Sequence, residues 1–438
     1  REEWVVAEWH FAVRWNGRLA VCAQEPEGAF RFAATLRQLL WSPGTSNASS
    51  TDAPREAQTD QLGTAPGLVS LPDFQLEDWP RTWWRGLHLD VVRHFMPVPF
   101  VKQYLRAMAY YKANTFHWHL TDDQAFRLYL PSRPQLVNSS AETSPGFYSE
   151  EDVREVIRLA DSLFMTVVPV LETPGHVLAA LAAYPDLACH GDHFEVPKSR
   201  EGTYTDVFCV GKASTFEFAR DVFTDVAKLF PGKYIHVGGD ECPQEKWATS
   251  AHVRAFAGMA GLKNLGHDVM EAWFCVVGRI LKELGRTPIM WDDHFPTRQR
   301  SVTKLCPGAE ADWIVQAWKM EPPVGDMSSS SISPGFPFRT ISSPMKSVYL
   351  DYPVASIDFN KTLDLLPTTG PLILGGCATM WTEDSEPKEV GAKVYPRFMG
   401  ISERLWGGHV AANKARALDL PLWTASQKHC SRSGQLPG

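Results

Sequence analysis

The chain has 438 residues, of which 44% are hydrophobic and 21% are charged, and its 43 basic and 50 acidic residues give a formal charge of −7. This composition is typical of a globular protein, and the length accommodates one large domain with a smaller one beside it. The sequence has no basic block or stripe and no apolar run long enough to cross a bilayer, so we expect neither nucleic-acid binding nor a membrane span.

The first 70 residues predict a partial small α/β domain followed by a linker. The stretch FAVRWNGRLAVCAQ (11–24) indicates two strands joined by a turn at Asn16 and Gly17. Apolar residues at helical spacing in GAFRFAATLRQLLW (28–41) predict a helix. Residues 43–70 carry almost no large apolar side chains, which is typical of a linker or surface loop.

From residue 71 to residue 410, short apolar runs alternate with amphipathic helical stretches. The predicted strands cover residues 83–90, 114–122, 165–172, 234–240, 287–293, 313–318, 347–351 and 373–381. The clearest helices are predicted at 99–112, 150–164, 215–230, 268–285 and 395–406. This alternation predicts a (β/α)8 TIM barrel as the catalytic domain, with residues 411–438 as a C-terminal extension. A doubly wound open sheet is the alternative, but no glycine-rich phosphate loop follows the first strand.

Polar and aromatic residues follow these strands at the points where they end. A barrel gathers the C-terminal ends of its strands on one face, so we expect these residues to form one pocket. Acids beside aromatic platforms suit a sugar, because aromatic faces cover the C–H side of a sugar ring while carboxylates bind its hydroxyls. The alternative is a metal-dependent hydrolase, since His117 and His119 share one face of a strand. That alternative needs further histidine ligands at later strand ends, and His176 and His294 are the nearest ones.

Two neighbouring acids, Asp240 and Glu241, end the stretch YIHVGGDEC (234–242). Neighbouring side chains on a strand point to opposite faces, so this pair is poorly placed to act as acid and nucleophile on one bond. Gly238 and Gly239 precede the pair, where they let the backbone bend and a ligand approach closely.

Nine motifs occur in the order found in family 20 glycoside hydrolases, the β-N-acetylhexosaminidases, and the chain resembles that family over about residues 70–410. The motifs are RGLHLDVVRHF, NTFHWHLTDDQAF, ETPGH, HVGGDE, WDD, AWK, YLD, MWTEDSE and PRFMGISERLW. The resemblance implies an exo-acting, retaining enzyme that removes terminal GlcNAc or GalNAc without a metal or other cofactor. In that family the 2-acetamido oxygen of the substrate is the nucleophile, and an oxazolinium ion is the intermediate.

The resemblance also implies a role for each matching residue. Glu241 would be the general acid and base, and Asp240 would orient the acetamide group, while Asp122 and His176 would lie behind the acid. The implied substrate-binding residues are Arg93, Trp291, Trp318, Tyr349, Asp351, Trp381 and Glu383. The implied partner is a carbohydrate with a terminal N-acetylhexosamine, and the oligomeric state stays open. A catalytically weak glycan-binding barrel is the alternative function.

Cysteines and glycosylation signals bear on the compartment. Cys189 and Cys209 flank a polar loop, where they form either a disulfide or two free thiols. Sequons at Asn47, Asn138 and Asn360 occur in polar contexts that predict loops. Together these features favour a secreted, lysosomal or periplasmic protein, and we expect its compartment to be oxidising.

Overall fold

The computed structural model describes residues 11–15, 19–40, 74–140, 145–293, 306, 312–319, 338–365 and 372–418. Asn47, His294, the whole predicted linker (43–70) and residues 419–438 of the predicted C-terminal extension lie outside these residues. None of the described helices has both the length and the apolar character needed to cross a bilayer.

A small antiparallel sheet and one helix form the N-terminal α/β part. Its strands are β1 (Phe11–Trp15), β2 (Leu19–Ala23) and β3 (Phe74–Asp78), in the order β2-β1-β3, and its helix is α1 (Pro26–Leu40). The sequence predicted β1, β2 and α1 but not β3, which returns to the sheet beyond the linker. Arg31 on α1 donates a hydrogen bond to the Phe164 carbonyl oxygen at 2.9 Å, and Phe32 packs against Trp406. The helix is therefore anchored on the larger part of the chain.

Eight parallel strands close into the predicted barrel. They are β4 (Trp84–Asp90), β5 (Thr115–Asp122), β7 (Thr166–Leu171), β8 (Tyr234–His236), β9 (Thr287–Trp291), β10 (Ile314–Ala317), β11 (Arg339–Ser342) and β12 (Ile373–Ala378). Each strand pairs with its neighbour in this order, and β4 pairs with both β12 and β5, which closes the ring. The two-residue strand β6 (Ala125–Phe126) runs antiparallel to the end of β5.

Helices cover the outside of the barrel. They are α2 (Val98–Tyr110), α3 (Glu150–Ser162), α4 (Leu178–Ala183), α5 (Ala213–Leu229), α6 (Glu245–Thr249), α7 (Ala251–Ala260), α8 (His267–Glu283), α9 (Met345–Val348), α10 (Phe359–Leu365) and α11 (Pro387–Leu418). Two short 3₁₀ turns lie at Pro134–Asn138 and Pro185–Leu187. Ser149 begins α3 in a capping box with Asp152, in which each side chain accepts a hydrogen bond from the other's backbone N–H. Helix α11 continues beyond residue 410, and the domain boundaries drawn from the sequence stay predictions.

The seventh strand was predicted in the wrong place. The sequence indicated a strand at 347–351, but β11 lies at Arg339–Ser342, and Met345–Val348 form α9. Pro344 caps α9 and has no N–H to donate to a ladder, so the extended run stops before it. Tyr349 then makes a single bridge with Thr379.

A layer of side chains fills the barrel and supports the pocket above it. One buried cluster takes a residue from each of seven strands: Trp84, Val168, Tyr234, Ile289, Ile314, Ile341 and Cys377. On the remaining strand, His117 Nε2 accepts a hydrogen bond from Trp84 Nε1 at 3.2 Å. The interior is thus packed rather than open, and the free space lies at the C-terminal ends of the strands.

Candidate active site

All eleven residues predicted for the site lie at or just beyond the C-terminal ends of the barrel strands. Arg93 follows β4, Asp122 ends β5, His176 follows β7, and Asp240 and Glu241 follow β8. The others belong to the remaining four strands: Trp291, Trp318, Tyr349, Asp351, Trp381 and Glu383. All eight strand ends therefore contribute to one face of the barrel.

The turn after β8 separates the two neighbouring acids. Gly238, Gly239 and Glu241 have φ angles of 71°, 100° and 45°. A Cβ atom on Gly238 would lie 1.9 Å from Glu172 Oε2, so this turn requires a glycine on steric grounds as well. The turn leaves the Asp240 side chain 15% exposed and the Glu241 side chain 46% exposed. One acid is thus set into the protein wall and the other projects into the open space.

Both acids face the same imidazole. His176 Nε2 lies 3.9 Å from Asp240 Oδ2 and 3.7 Å from Glu241 Oε2. The interaction with His176 is the main reason why the pKa of Glu241 is lowered. Burial instead raises the pKa of Asp240.

Two further acids hold His176 from behind. Its Nδ1 lies 3.2 Å from Asp122 Oδ1 and 3.1 Å from Asp123 Oδ2. Burial alone would lower the pKa of His176, but Asp122 and Asp123 outweigh burial and raise it well above its usual value. The two carboxylates therefore favour the charged form of the imidazole. Asp123, the second acid of TDDQ, was not among the predicted site residues.

Arg93 is 6% exposed and its guanidinium meets acids on three sides. Its Nη2 lies 2.9 Å from Asp122 Oδ2, and its Nη1 lies 3.2 Å from Asp90 Oδ2 and 3.5 Å from Glu383 Oε1. Its Nε donates to Gln124 Oε1 at 3.2 Å. These contacts fix the guanidinium, which leaves Glu383, 27% exposed, as the more accessible member of this group.

The four predicted aromatic residues form a continuous wall. Trp318 stacks on Tyr349 with ring centroids 6.0 Å apart, and Tyr349 lies 6.4 Å from Trp381. Trp381 lies 6.0 Å from Trp291, which is 1% exposed and packs on His236. The wall therefore runs along the ends of β9 to β12.

Two predicted acids border this wall. Burial raises the pKa of Asp351 to about 6 and that of Glu383 to about 7. Carboxyls with pKa values in this range both accept and donate hydrogen bonds near neutral pH, which suits hydroxyl groups.

Asp293 connects the exposed acid to the aromatic wall. Its Oδ1 accepts a hydrogen bond from the Glu241 backbone N–H at 3.0 Å and lies 2.7 Å from Lys319 Nζ. Its Oδ2 accepts one from Trp318 Nε1 at 2.6 Å. The sequence motif WDD contains this residue, but its role was not predicted, because a pattern does not distinguish the two acids.

Two groups of acids and one histidine have ligand atoms close enough for a metal ion in the described part of the chain. They are Asp122 with Asp123 and His176, and His176 with Asp240 and Glu241. Both depend on His176, whose Nδ1 already lies between two carboxylates. The histidines that suggested a metal hydrolase belong to neither group: His117 bonds to Trp84, and His119 Nε2 to Asp122 Oδ2 at 3.0 Å.

A loop after β7 borders the pocket. Thr203 Oγ1 donates a hydrogen bond to Glu241 Oε2 at 3.4 Å, and Gln124 Nε2 donates to the carbonyl oxygens of Ser199 and Arg200. An open cavity of about 420 Å³ lies here, lined by Lys198, Ser199, Arg200, Glu201 and Glu383. The loop that contacts Glu241 therefore also lines an open cavity beside Glu383.

One disulfide joins Cys189 to Cys209, and another joins Cys275 to Cys306. For Cys189 and Cys209 the sequence had left open a disulfide or two free thiols. Asn138 ends a 3₁₀ turn, while Asn360 lies in α10, so the prediction of a loop there was wrong. Both asparagines are exposed. Two disulfides indicate an oxidising compartment.

Comparison with known proteins gives one consistent result. The sequence profile "Glycosyl hydrolase family 20, catalytic domain" matches residues 83–409. A β-hexosaminidase of Porphyromonas gingivalis is 32% identical over 90% of this chain, which spans 46% of that protein's length. A β-N-acetylhexosaminidase of Cellulomonas fimi is 29% identical over 89% of this chain and 72% of that protein.

Solved structures show the same similarity. The β-N-acetylhexosaminidase of Bacteroides fragilis superposes with a TM-score of 0.78 at 27% identity, over 95% of this chain and 82% of that one. A Streptomyces plicatus β-hexosaminidase variant in complex with the product GlcNAc superposes with a TM-score of 0.73 at 26% identity, over 96% of this chain and 81% of that one. The fold predicted from the sequence, a (β/α)8 barrel with a small N-terminal α/β part, is confirmed.

Proposed function

Because the chain belongs to glycosyl hydrolase family 20, as its motifs predicted, we propose that it is an exo-acting, retaining β-N-acetylhexosaminidase acting on terminal β-linked GlcNAc or GalNAc. The observation that carries this proposal is the separation of Asp240 and Glu241. The Asp240 side chain is 15% exposed and lies in the pocket wall, whereas the Glu241 side chain is 46% exposed and projects into the pocket, so the two acids serve different parts of one substrate.

The first chemical step uses the substrate's own nucleophile. The acetamide carbonyl oxygen attacks the anomeric carbon as the glycosidic C–O bond breaks, and Glu241 donates its proton to the leaving oxygen. Asp240 accepts a hydrogen bond from the acetamide N–H, which orients the group and offsets the positive charge of the oxazolinium ring. Substrate assistance of this kind is an exception to the usual pair of protein carboxylates in retaining enzymes.

The second step reverses the role of the acid. The Glu241 carboxylate takes a proton from a water molecule, whose oxygen attacks the anomeric carbon and opens the oxazolinium ring. Two displacements at one carbon return the sugar with its β configuration and restore the acetamide. Glu241 regains its proton and the cycle is complete.

The charged His176 determines the protonation state of Glu241 before the substrate binds. In the free protein it lowers the pKa of Glu241, so the acid is protonated only at low pH. A bound sugar displaces water from the pocket, and desolvation of the carboxyl raises its pKa towards the protonated form that the first step needs. His176 then stabilises the carboxylate that the proton transfer leaves behind. Asp122 and Asp123 hold the imidazole for this purpose.

The remaining predicted residues bind the sugar. Glu383, held by Arg93, borders the open cavity and suits the hydroxyls remote from the reacting bond. Trp291, Trp318 and Trp381 provide the apolar surface for the acetamide methyl and the ring face. Tyr349 and Asp351 complete the polar contacts with the acetamide and the sugar.

The test compares two aryl β-glycosides that differ at carbon 2. We expect turnover of the 2-acetamido sugar and, for the 2-hydroxyl sugar, a rate lower by about a thousandfold or more, because the nucleophile is missing. Glu241→Gln should abolish turnover of the acetamido substrate while leaving ligand binding near normal. A wild-type protein that binds the sugar without turning it over would make the chain a glycan-binding barrel instead. Activity lost on chelation would favour the metal hydrolase.

A further inference from the structure

Glu172, the first residue after β7, is a buried acid to which the mechanism above gives no role. The residue is 3% exposed, and neither of its carboxyl oxygens accepts a hydrogen bond from a described residue. Its backbone N–H donates to Thr121 Oγ1 at 2.8 Å, so the backbone of the residue is held in place. Burial without a hydrogen-bond donor makes the ionised form of Glu172 unfavourable.

Another acid, Asp240, has the strongest electrostatic effect on Glu172 among the described residues. The Glu172 carboxyl lies within hydrogen-bonding reach of Asp240. Asp240 Oδ1 is likewise buried without a partner, whereas Asp240 Oδ2 lies on the side of His176. Gly238 closes the space over Glu172 Oε2. The two carboxyls thus lie close together, and neither the Glu172 oxygens nor Asp240 Oδ1 accepts a hydrogen bond from a donor among the described residues.

Among the described residues, no cation is hydrogen-bonded to Glu172. His119 Nδ1 is 3.7 Å away, beyond hydrogen-bonding distance, and His119 Nε2 is already bonded to Asp122. The charge of His176 is shared among Asp122, Asp123, Asp240 and Glu241. A cavity of about 20 Å³ beside Glu172 has room for one water molecule, which brings no charge.

Two buried carboxyls in contact hold one proton between them, because both cannot ionise. Asp240 keeps the negative charge, since its Oδ2 lies near the imidazolium of His176. Glu172 keeps the proton, and burial together with Asp240 raises the pKa of Glu172 well above its usual value.

We propose that Glu172 is a positioning residue: its protonated carboxyl donates a hydrogen bond to Asp240 Oδ1 and so turns Oδ2 towards the acetamide N–H of the substrate. The inference rests on the proposed function, because it assigns Asp240 its task. Glu172 supplies the donor that fixes the orientation of this carboxylate without adding a positive charge that would oppose the oxazolinium ion.

The test pairs two substitutions at residue 172. Glu172→Gln is nearly isosteric, and its amide still donates to Asp240, so we expect it to keep kcat within about threefold of the wild type. Glu172→Leu has no donor, and we expect kcat to fall by about 30-fold or more, with a similar loss of affinity for a thiazoline analogue of the cyclic intermediate. If the Gln variant loses as much as the Leu variant, the proposal is wrong.

A double-mutant cycle separates positioning from damage to the fold. In an Asp240→Asn background, Glu172→Leu should cost less than about threefold in thiazoline affinity, because the carboxylate it orients is gone. Additive losses in the two backgrounds would contradict the proposal. The matched control is Glu27→Leu, which removes a buried carboxyl on α1 and should lower thermal stability without changing thiazoline affinity.

The pH profile gives a second test, which does not need the Leu variant to fold. If Glu172 is already neutral, Glu172→Gln changes no charge and leaves the alkaline limb of kcat/KM within about 0.3 pH units of the wild type. If Glu172 is ionised, the substitution removes a negative charge and shifts that limb to lower pH, which overturns the proposal. A wild-type protein that neither turns over the aryl substrate nor binds the thiazoline refutes the proposed function instead.

Discussion

Asp293 Oδ1 accepts a hydrogen bond from the backbone N–H of Glu241 at 3.0 Å. The exposed acid is therefore fixed through its backbone by a residue of the next strand end. The other oxygen of Asp293 accepts from Trp318 Nε1, so one carboxylate aligns the acid with the aromatic wall. This contact leads to the first prediction.

We expect Asp293→Ala to lower kcat by about 100-fold, because misplacement of an acid by about 1 Å costs that much. The measurement is turnover of an aryl 2-acetamido-β-glycoside together with a thermal melt. The control is Asp221→Ala, which removes an acid from a partly exposed pair with Arg133 and should change neither value appreciably. A loss confined to KM would mean that Asp293 supports the wall rather than the acid.

His176→Asn should move the pH dependence of catalysis. The imidazolium is the main cause of the lowered Glu241 pKa, so its removal lets that pKa rise. Because the first step needs protonated Glu241, the alkaline limb of kcat/KM should shift to higher pH while its maximum falls. His193→Asn, on an 82% exposed side chain, serves as the control and should leave the profile unchanged. An unshifted limb would contradict the assigned interaction.

Gly238→Ala tests the turn after β8. Alanine at a φ of 71° costs about 1–2 kcal/mol in backbone energy, and its Cβ would also lie 1.9 Å from Glu172 Oε2. Gly261→Ala provides the matched control, because its φ is 68° and a Cβ there meets nothing within 4 Å. We expect the Gly238 variant to lose clearly more free energy of unfolding than the Gly261 variant. Equal losses in denaturant titrations would mean that the contact relaxes freely.

Replacing Cys189 and Cys209 by serine should lower the free energy of unfolding by about 3 kcal/mol, because the open loop gains conformational entropy in the unfolded chain. That loop carries Thr203 and borders the cavity, so kcat/KM should fall as well. Cys22→Ser, at an exposed free thiol, is the control for the substitution itself. Unchanged stability in both variants would argue against a structural role for the disulfide.

Most of the fold could be predicted because alternating strands and helices leave a periodic signal. Seven of the eight barrel strands lie where the apolar runs indicated. The strand that was predicted in the wrong place, β11 (Arg339–Ser342), is only four residues long. The stretch that follows it at 347–351 resembles a strand more closely by composition. β3 was missed because it pairs with β1 across a long linker, and a contact of that kind leaves no local pattern.

The site residues could be assigned to a common face from the sequence, but their pairings could not. Asp122 and Asp123 are adjacent in the chain, and their oxygens lie 3.2 Å and 3.1 Å from the same atom, His176 Nδ1. Likewise, WDD does not reveal that Asp293 binds the Glu241 backbone. Residue 172 ends the predicted strand 165–172, but the lack of hydrogen-bond donors to Glu172 among the described residues depends on packing in three dimensions. Hydrogen-bond geometry of this kind is set by the tertiary structure rather than by spacing along the chain.

The φ of 45° at Glu241 has an evolutionary consequence. A residue other than glycine in this region costs about 1 kcal/mol or more, so the acid lies where folding alone would favour glycine. Selection for stability alone would therefore favour glycine at this position, whereas the proposed reaction requires the carboxyl group of Glu241, so stability and activity make opposite demands here.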